Sequence, residues 1–193
     1  MQAQVESSSS DPAGMTLPAD PFELLLAYEA GARAHSARAA EQAEAPGLWR
    51  GIGYRIGAQW LISSIAEVNE ILTPPPMTSV PGAKPWLIGI ANVRGNLAAI
   101  VDIKLFLEGE RTVPTERSRV LLARQPGGIV GLLVDEVAGQ RNLTDENQPV
   151  NEVEGDPRYR SYIKAHFTVD GRIWSVFSMA ALTRQPEFRQ AAQ

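Results

Sequence analysis

From about residue 48 onward, apolar residues arrive in short runs rich in β-branched and aromatic side chains, at 52–56, 60–65, 68–72, 97–101, 120–123, 129–134 and 172–177. Turn-forming residues part them: Gly57-Ala58, Gly95-Asn96, Pro126-Gly127-Gly128 and Asp170-Gly171. Many short strands at this spacing predict a β-barrel or sandwich with few helices. One helix is expected after Asp102 through Leu107, and a second from Ser178 across Met179 to about Gln185. No internal repeat of fixed period is visible, although two small barrels in series fit the strand count.

The first quarter has a different texture. Residues 1–19 are polar and contain Ser, Gly and Pro, which predicts a disordered tail. Asp20 can cap a helix that has Pro21 in its first position and Glu23 three residues on. The run to about Gln42 is rich in Ala, Leu, Glu and Arg, all good helix formers. Its larger apolar residues, Phe22, Leu25, Leu26 and Tyr28, crowd into the first two turns. The segment 20–46, ended by Pro46-Gly47, is therefore expected to be an accessory helix outside the barrel core. The main domain is expected over 48–185, with 186–193 as a C-terminal tail.

Composition narrows the function classes. The 193 residues are 44% hydrophobic with 16 Gly and 14 Pro, as suits a turn-rich globular chain. A net charge of -4 argues against bulk attraction to nucleic acid or to an anionic membrane. Lysine occurs only at Lys84, Lys104 and Lys164; the other cations are Arg, the commoner interface residue. Without cysteine there are no disulfides, thiolate metal sites or Cys nucleophiles. His35 and His166 lie far apart, in different kinds of segment, so no His-rich metal site is expected. The N-terminus lacks the basic and apolar regions of a secretory signal, and no apolar run approaches the roughly 20 residues of a membrane span. A cytoplasmic location without membrane insertion is the expectation.

The chain offers little for catalysis. There is no phosphate-binding GxxxxGK[ST] loop, and GIGYRIG at 51–57 misses the GxGxxG spacing, because its third Gly is Gly57; a hairpin is the better reading. His166, in AHFTVDG, falls on one face of a strand and reads as structural. Asp135 and Glu136 are adjacent, so in a strand they would point to opposite faces and make a poor acid/base pair. The carboxylates Asp145, Glu146, Glu152, Glu154 and Asp156 lie among Pro149, Gly155 and Pro157, which favours a solvated loop over a weak divalent-cation site. No catalytic residue, metal or cofactor is expected. Three of the four tryptophans, Trp60, Trp86 and Trp174, are flanked mainly by apolar residues and are expected to be structural, which disfavours a nucleic-acid face.

One feature resists this bland picture. WLIGIANVRGNLAAIVDIKLFL, 86–107, would read as two buried strands but for Arg94 and Gly95 in its middle. Gly95-Asn96 can take φ > 0 and reverse the chain, placing Arg94 at a turn. On the residues alone Arg94 is either a solvated turn residue, free or paired with Asp102, or an anchor for a partner.

VPGAKPWLIGIANVRGNLAAIVDI, 80–103, resembles the signature segment of the CheW family of chemotaxis adaptors. The matching elements are Pro81, Pro85, Gly89, Asn92, Arg94, Gly95 and Asp102. Val93 stands where Leu is commoner, and Ile103 follows the Asp. IAEVNEIL (65–72), IVGLLVDEVAG (129–139) and YIKAHFTVDGRIWSVFSMAALT (162–183) resemble further family elements in the same order, with Ala165 replacing a usual Gly. The N-terminal helix before LWRGIGYRIG is similar to that of the pilus-type adaptors of twitching-motility chemosensory systems.

The resemblance implies a mainly β fold: two small five-stranded SH3-like barrels around a shared core, with an N-terminal and a C-terminal helix. It implies a non-enzymatic adaptor that joins the cytoplasmic tip of a methyl-accepting chemoreceptor to the regulatory domain of a CheA-like histidine kinase. The family's partner-binding positions carry over to Val68, Glu70, Gly89 and Arg94, with Asn92 and Gly95 in the same motif. Val68 and Gly89 can also be packing residues, Gly89 through close backbone approach between barrels. Glu70 alternates with Val68 on one strand face and is within conceivable reach of Arg94. The alternative is a stand-alone ligand-binding β-barrel or small enzyme.

Overall fold

The structure, a computed structural model, describes residues 49–125, 127–144, 147, 149–150 and 156–191. They belong to one unit, Pro46–Gln193. The expected tail 1–19 and helix 20–46 lie outside the described residues, as do Asp145, Glu146, Glu152 and Glu154 of the acidic stretch.

Strands β1 (Trp49–Ile56), β2 (Gln59–Ser64), β3 (Val68–Leu72), β4 (Leu87–Val93) and β5 (Asn96–Asp102) lead into helix α1 (Ile103–Glu108). Strands β6 (Arg119–Gln125), β7 (Gly128–Val134) and β8 (Glu136–Leu143) follow, then a 3-10 turn at Pro157–Tyr159. Strands β9 (Ile163–Val169) and β10 (Arg172–Phe177) lead into α2 (Met179–Arg184) and α3 (Pro186–Arg189). The strands form two five-stranded sheets, in the orders β8-β1-β2-β10-β9 and β3-β6-β7-β5-β4. Each sheet holds one parallel pair, β2 with β10 and β5 with β7.

The mainly β, two-barrel expectation holds, but the barrels are not in series. The second barrel, β3 to β7, is inserted between β2 and β8 of the first. Matching β8, β9, β10, β1 and β2 to β3, β4, β5, β6 and β7 superposes the two strand orders, including the parallel pair. The same fold is thus used twice, once in sequence order and once circularly permuted. A permuted repeat has no constant period, which is why none is visible in the sequence.

Alternation builds three cores. In β4, Gly89, Ala91 and Val93 point inward while Ile90 and Asn92 are exposed. Residues from all five strands of the second sheet, among them Leu72, Ala91, Ile100, Val120 and Leu133, fill its interior. Ile62, Leu143 and Trp174 do the same in the first sheet, with Trp49, Trp60, Phe167 and Val176 packed around them. Between the sheets lies the largest cluster, including Tyr54, Leu61, Val101, Leu121, Leu132, Phe177 and Leu182. Trp86 and Trp174 are buried as expected, whereas Trp60 is only half-buried, edge-on to Trp174 at 5.4 Å with the Arg172 guanidinium 3.9 Å above its ring.

The expected C-terminal tail from 186 instead packs. Phe188 is buried, stacked on Trp86 at 5.7 Å and edge-on to Phe106 at 5.3 Å. Lys84 N donates to the Ala191 carbonyl at 2.8 Å. One large aromatic residue among polar neighbours is a weak sequence signal, but it closes an aromatic triad. Strand β8 was not legible as a strand on its own residues, because its sequence EVAGQRNL is largely polar and only Leu143 is fully buried.

Candidate functional site

The interrupted run is a two-residue hairpin. Val93 pairs with Asn96, and the turn residues Arg94 and Gly95 have φ of 51° and 83°. Positive φ at both central positions matches the twist of the flanking strands. The expected Gly95-Asn96 turn is thus shifted by one residue, and Asn96 already belongs to β5. A non-glycine side chain in the left-handed region costs about 1–2 kcal/mol, so Arg94 is held there against its local preference. Asn92 assists: its Oδ1 accepts a hydrogen bond from Gly95 N at 2.8 Å.

Arg94 Nη2 donates to Glu70 Oε1 at 2.7 Å. Glu70 lies on β3 and Arg94 follows β4, the two end strands of the second sheet, so the ion pair spans the closure of that barrel. The Arg94 side chain is 78% exposed and that of Glu70 22%. One guanidinium nitrogen is fixed while other N–H donors of the same fork face solvent. Asp102 is not its partner. That carboxylate is buried, accepting from Leu105 N at 3.1 Å, Thr112 N at 2.8 Å and Thr112 Oγ1 at 2.7 Å, and it caps α1.

The remaining candidate residues divide between surface and scaffold. Val68 is half-buried against the shared core, and the β3–β6 register shifts between it and Glu70. The two are both half-buried with the exposed Asn69 between them, as alternation predicts, but they contact different parts of the protein. Gly89 is buried, and a Cβ there would lie 2.5 Å from the Thr78 carbonyl oxygen. The close approach is to the 77–79 segment, not between barrels: Thr78 N and Ile90 N exchange hydrogen bonds of 2.9 and 2.8 Å with each other's carbonyls. Arg94, Glu70, Asn92 and Gly95 therefore form one cluster, with Gly89 and Val68 supporting the strands that carry it.

Sequence reasoning missed an apolar companion to this cluster. Leu97 stands directly across from Asn92 and is 73% exposed; Ile90 and Met77 are also exposed. An exposed apolar patch bordered by an Arg–Glu pair has the composition of a protein interface. The signal was available once the turn was taken as two residues, since that register puts Leu97 on the outer face.

Among the described residues, His166, Asp135 and Glu136 have structural partners. His166 Nδ1 lies 2.8 Å from Ser175 Oγ across β9–β10, and burial lowers its pKa, favouring the neutral ring. Among the described residues no carboxylate contacts this imidazole, so the pair lacks the third group that orients a catalytic base. Asp135 and Glu136, expected to diverge, converge on Arg55. Arg55 Nε donates to Glu136 Oε1 at 2.6 Å and Nη1 lies 3.4 Å from Asp135 Oδ2. They converge because Asp135 sits in the bend between β7 and β8, where strand alternation is broken. No group of potential metal ligands occurs among the described residues, and no described helix is long and apolar enough to cross a membrane.

Comparison with known proteins bears on the family and the fold. The family model of the CheW-like domain matches residues 50–187. Protein PilI of Pseudomonas aeruginosa is 35% identical over 176 residues, covering 89% of this chain and 96% of its own. A probable chemotaxis protein CheW of Rhizobium etli is 31% identical over 141 residues, covering 72% of this chain and 90% of its own. The crystal structure of the scaffolding protein TtCheW from Thermoanaerobacter tengcongensis superposes with a TM-score of 0.60 at 18% identity, over 72% of this chain and 94% of that one, and it supports the fold.

Proposed function

The chain belongs to the CheW-like family, in its pilus-type subgroup, and from that premise we propose that it is a non-enzymatic adaptor in a chemotaxis-type system controlling type IV pilus twitching motility. It couples the cytoplasmic tip of a methyl-accepting chemoreceptor to the regulatory domain of a CheA-like histidine kinase. It works in the cytoplasm, binds no nucleic acid and needs no cofactor. The observation that carries this reading is the Arg94–Glu70 pair, mounted on a tight hairpin turn with most of the guanidinium in solvent. A receptor tip is a helical hairpin, offering carboxylates and carbonyls that a guanidinium can grip with parallel bonds. Glu70 restricts Arg94 before binding, so less side-chain entropy is lost on docking. Leu97 beside it supplies the apolar contact. Val68 and Gly89 contribute by fixing β3 and β4.

The test is calorimetric titration of the full chain with a soluble cytoplasmic-tip fragment of a methyl-accepting receptor from the same cell, alongside urea unfolding. For an affinity of about 1 μM, near 8 kcal/mol, Arg94→Ala should remove about 2 kcal/mol of binding and weaken it more than tenfold. An exposed ion pair is worth only about 0–1 kcal/mol to the fold, so the urea midpoint should barely move. Intact binding with a collapsed midpoint would show that Arg94 is structural and is no anchor.

A further inference from the structure

A second charged surface shares no residue with the Arg94 cluster. Where the end of β1, helix α1, the loop from α1 to β6 and the β7–β8 bend meet, Arg55, Lys104, Arg111 and Arg117 line one open concavity together with Asp135. The four cations are not equivalent. Arg55 is committed to Asp135 and Glu136, and Lys104 lies 3.2 Å from Glu110. Arg117 is 81% exposed and reaches Glu136 only at 3.7 Å. Arg111 has no hydrogen-bond or ion-pair partner among the described residues. Arg111 is therefore unengaged and Arg117 is held only by this longer, exposed pair, on a chain whose net charge is -4.

The loop that carries them is anchored. Thr112 is buried and tied to Asp102 by its N–H and its hydroxyl, and Thr115 N donates to Ser118 Oγ at 2.8 Å. Between these two anchors Val113 stands 79% exposed, the most exposed of the large apolar residues described. A loop whose neighbours are fixed while an apolar side chain projects between two exposed arginines loses little order when it binds. Charge complementarity then selects the occupant.

We propose that this concavity is a second protein-docking surface, which takes an acidic segment of a partner protein, its carboxylates on Arg111 and Arg117 and an apolar side chain against Val113. The surface is independent of Arg94, so an adaptor could hold two partners at once.

The test is a titration of the full-length 15N-labelled chain, followed by NMR, with an acetylated and amidated hexapeptide of alternating glutamate and valine. The matched glutamine–valine peptide and inorganic phosphate serve as controls. The expected result is saturable shifts at the Arg111, Thr112, Val113 and Arg117 amides with the glutamate peptide alone, weakening as salt is raised. The double variant Arg111→Ser/Arg117→Ser should bind the peptide about tenfold or more weakly, since each charge-assisted bond carries roughly that factor. Arg94→Ala should bind it unchanged. The proposal is overturned if the glutamine peptide or phosphate shifts the same amides equally, if the shifts centre elsewhere, or if no saturable shift occurs in the wild-type chain.

Discussion

Arg94 stands in a backbone conformation that glycine would occupy without strain, at φ 51°. That separates its two roles experimentally. Arg94→Gly should leave the urea midpoint unchanged or slightly raised, because relief of the left-handed penalty offsets the lost ion pair. It should still weaken receptor-tip binding more than tenfold, and retained affinity in this variant would reassign the anchor to Glu70 or Leu97. Gly89→Ala makes the opposite test. Its new Cβ would press on the Thr78 carbonyl, so overpacking should cost about 1–3 kcal/mol, seen as a lowered urea midpoint. Any loss of partner binding there would follow from displaced backbone. The tryptophans grade likewise: Trp174→Ala should cost about 3–5 kcal/mol, and Trp60→Ala clearly less, since Trp60 remains partly in solvent. Equal midpoint shifts would refute that ranking. The sequence singled out Arg94 as a candidate through an apolar run broken by a charge. It could not give the turn register, because Gly-Asn and Arg-Gly are both able to reverse a chain and only pairing of Val93 with Asn96 decides between them.

At the scale of elements, the junction from β7 to β8 is held by charge. Arg55 bonds Glu136, its Nη1 donates to the Gly57 carbonyl at 2.6 Å, and Gly57 N donates to Asp135 at 2.7 Å. The hydrogen bond from Arg55, reinforced by its charge and those of Arg117 and Arg172, holds Glu136 below the ordinary glutamate value of 4.5. A carboxylate depressed in the folded state contributes stability above its unfolded value and loses it as pH falls through the folded one. Glu136→Gln should therefore lower the urea midpoint at pH 7, and the gap from wild type should close as pH drops below 4.5. A gap that persists to the acid end would mean that its ionisation does not stabilise the junction. This junction is hidden in the sequence because alternation sends adjacent carboxylates of a continuous strand to opposite faces, and nothing local marks the bend at Asp135. Helix α1, by contrast, was legible in its place after Asp102, although not its cap. Asp102 ends an apolar strand and begins a short apolar helix, a position that its buried bonds to Leu105 and Thr112 confirm.

For the whole molecule, the cluster between the sheets contains fully buried residues of both, Leu61 on one side and Leu121 on the other. Neither barrel can lose its outer wall without exposing the other's. Leu121→Ala should cost about 2–5 kcal/mol and should shift tryptophan fluorescence, which reports largely on the first barrel, together with circular dichroism. Two separate transitions would show that the barrels are independent. The mainly β class and most of the strands were legible because alternation and turns are local signals, whereas the count of two five-stranded barrels came from the family resemblance. The insertion of one barrel inside the other was not legible, since it is decided by the pairing of β2 with β10, more than a hundred residues apart in the chain. That pairing also orders events at the ribosome. Strands β1 and β2 emerge first, but their neighbours β8 and β10 come roughly 70 or more residues later, a wait of several seconds at about 5–20 residues per second. The inserted barrel, whose five strands are consecutive, can close during that interval. A nascent chain stalled with Val134 just outside the tunnel should protect β6 and β7 from proteolysis while leaving Trp60 and Ile62 on an unpaired hairpin, available to any chaperone that recognises exposed apolar strands.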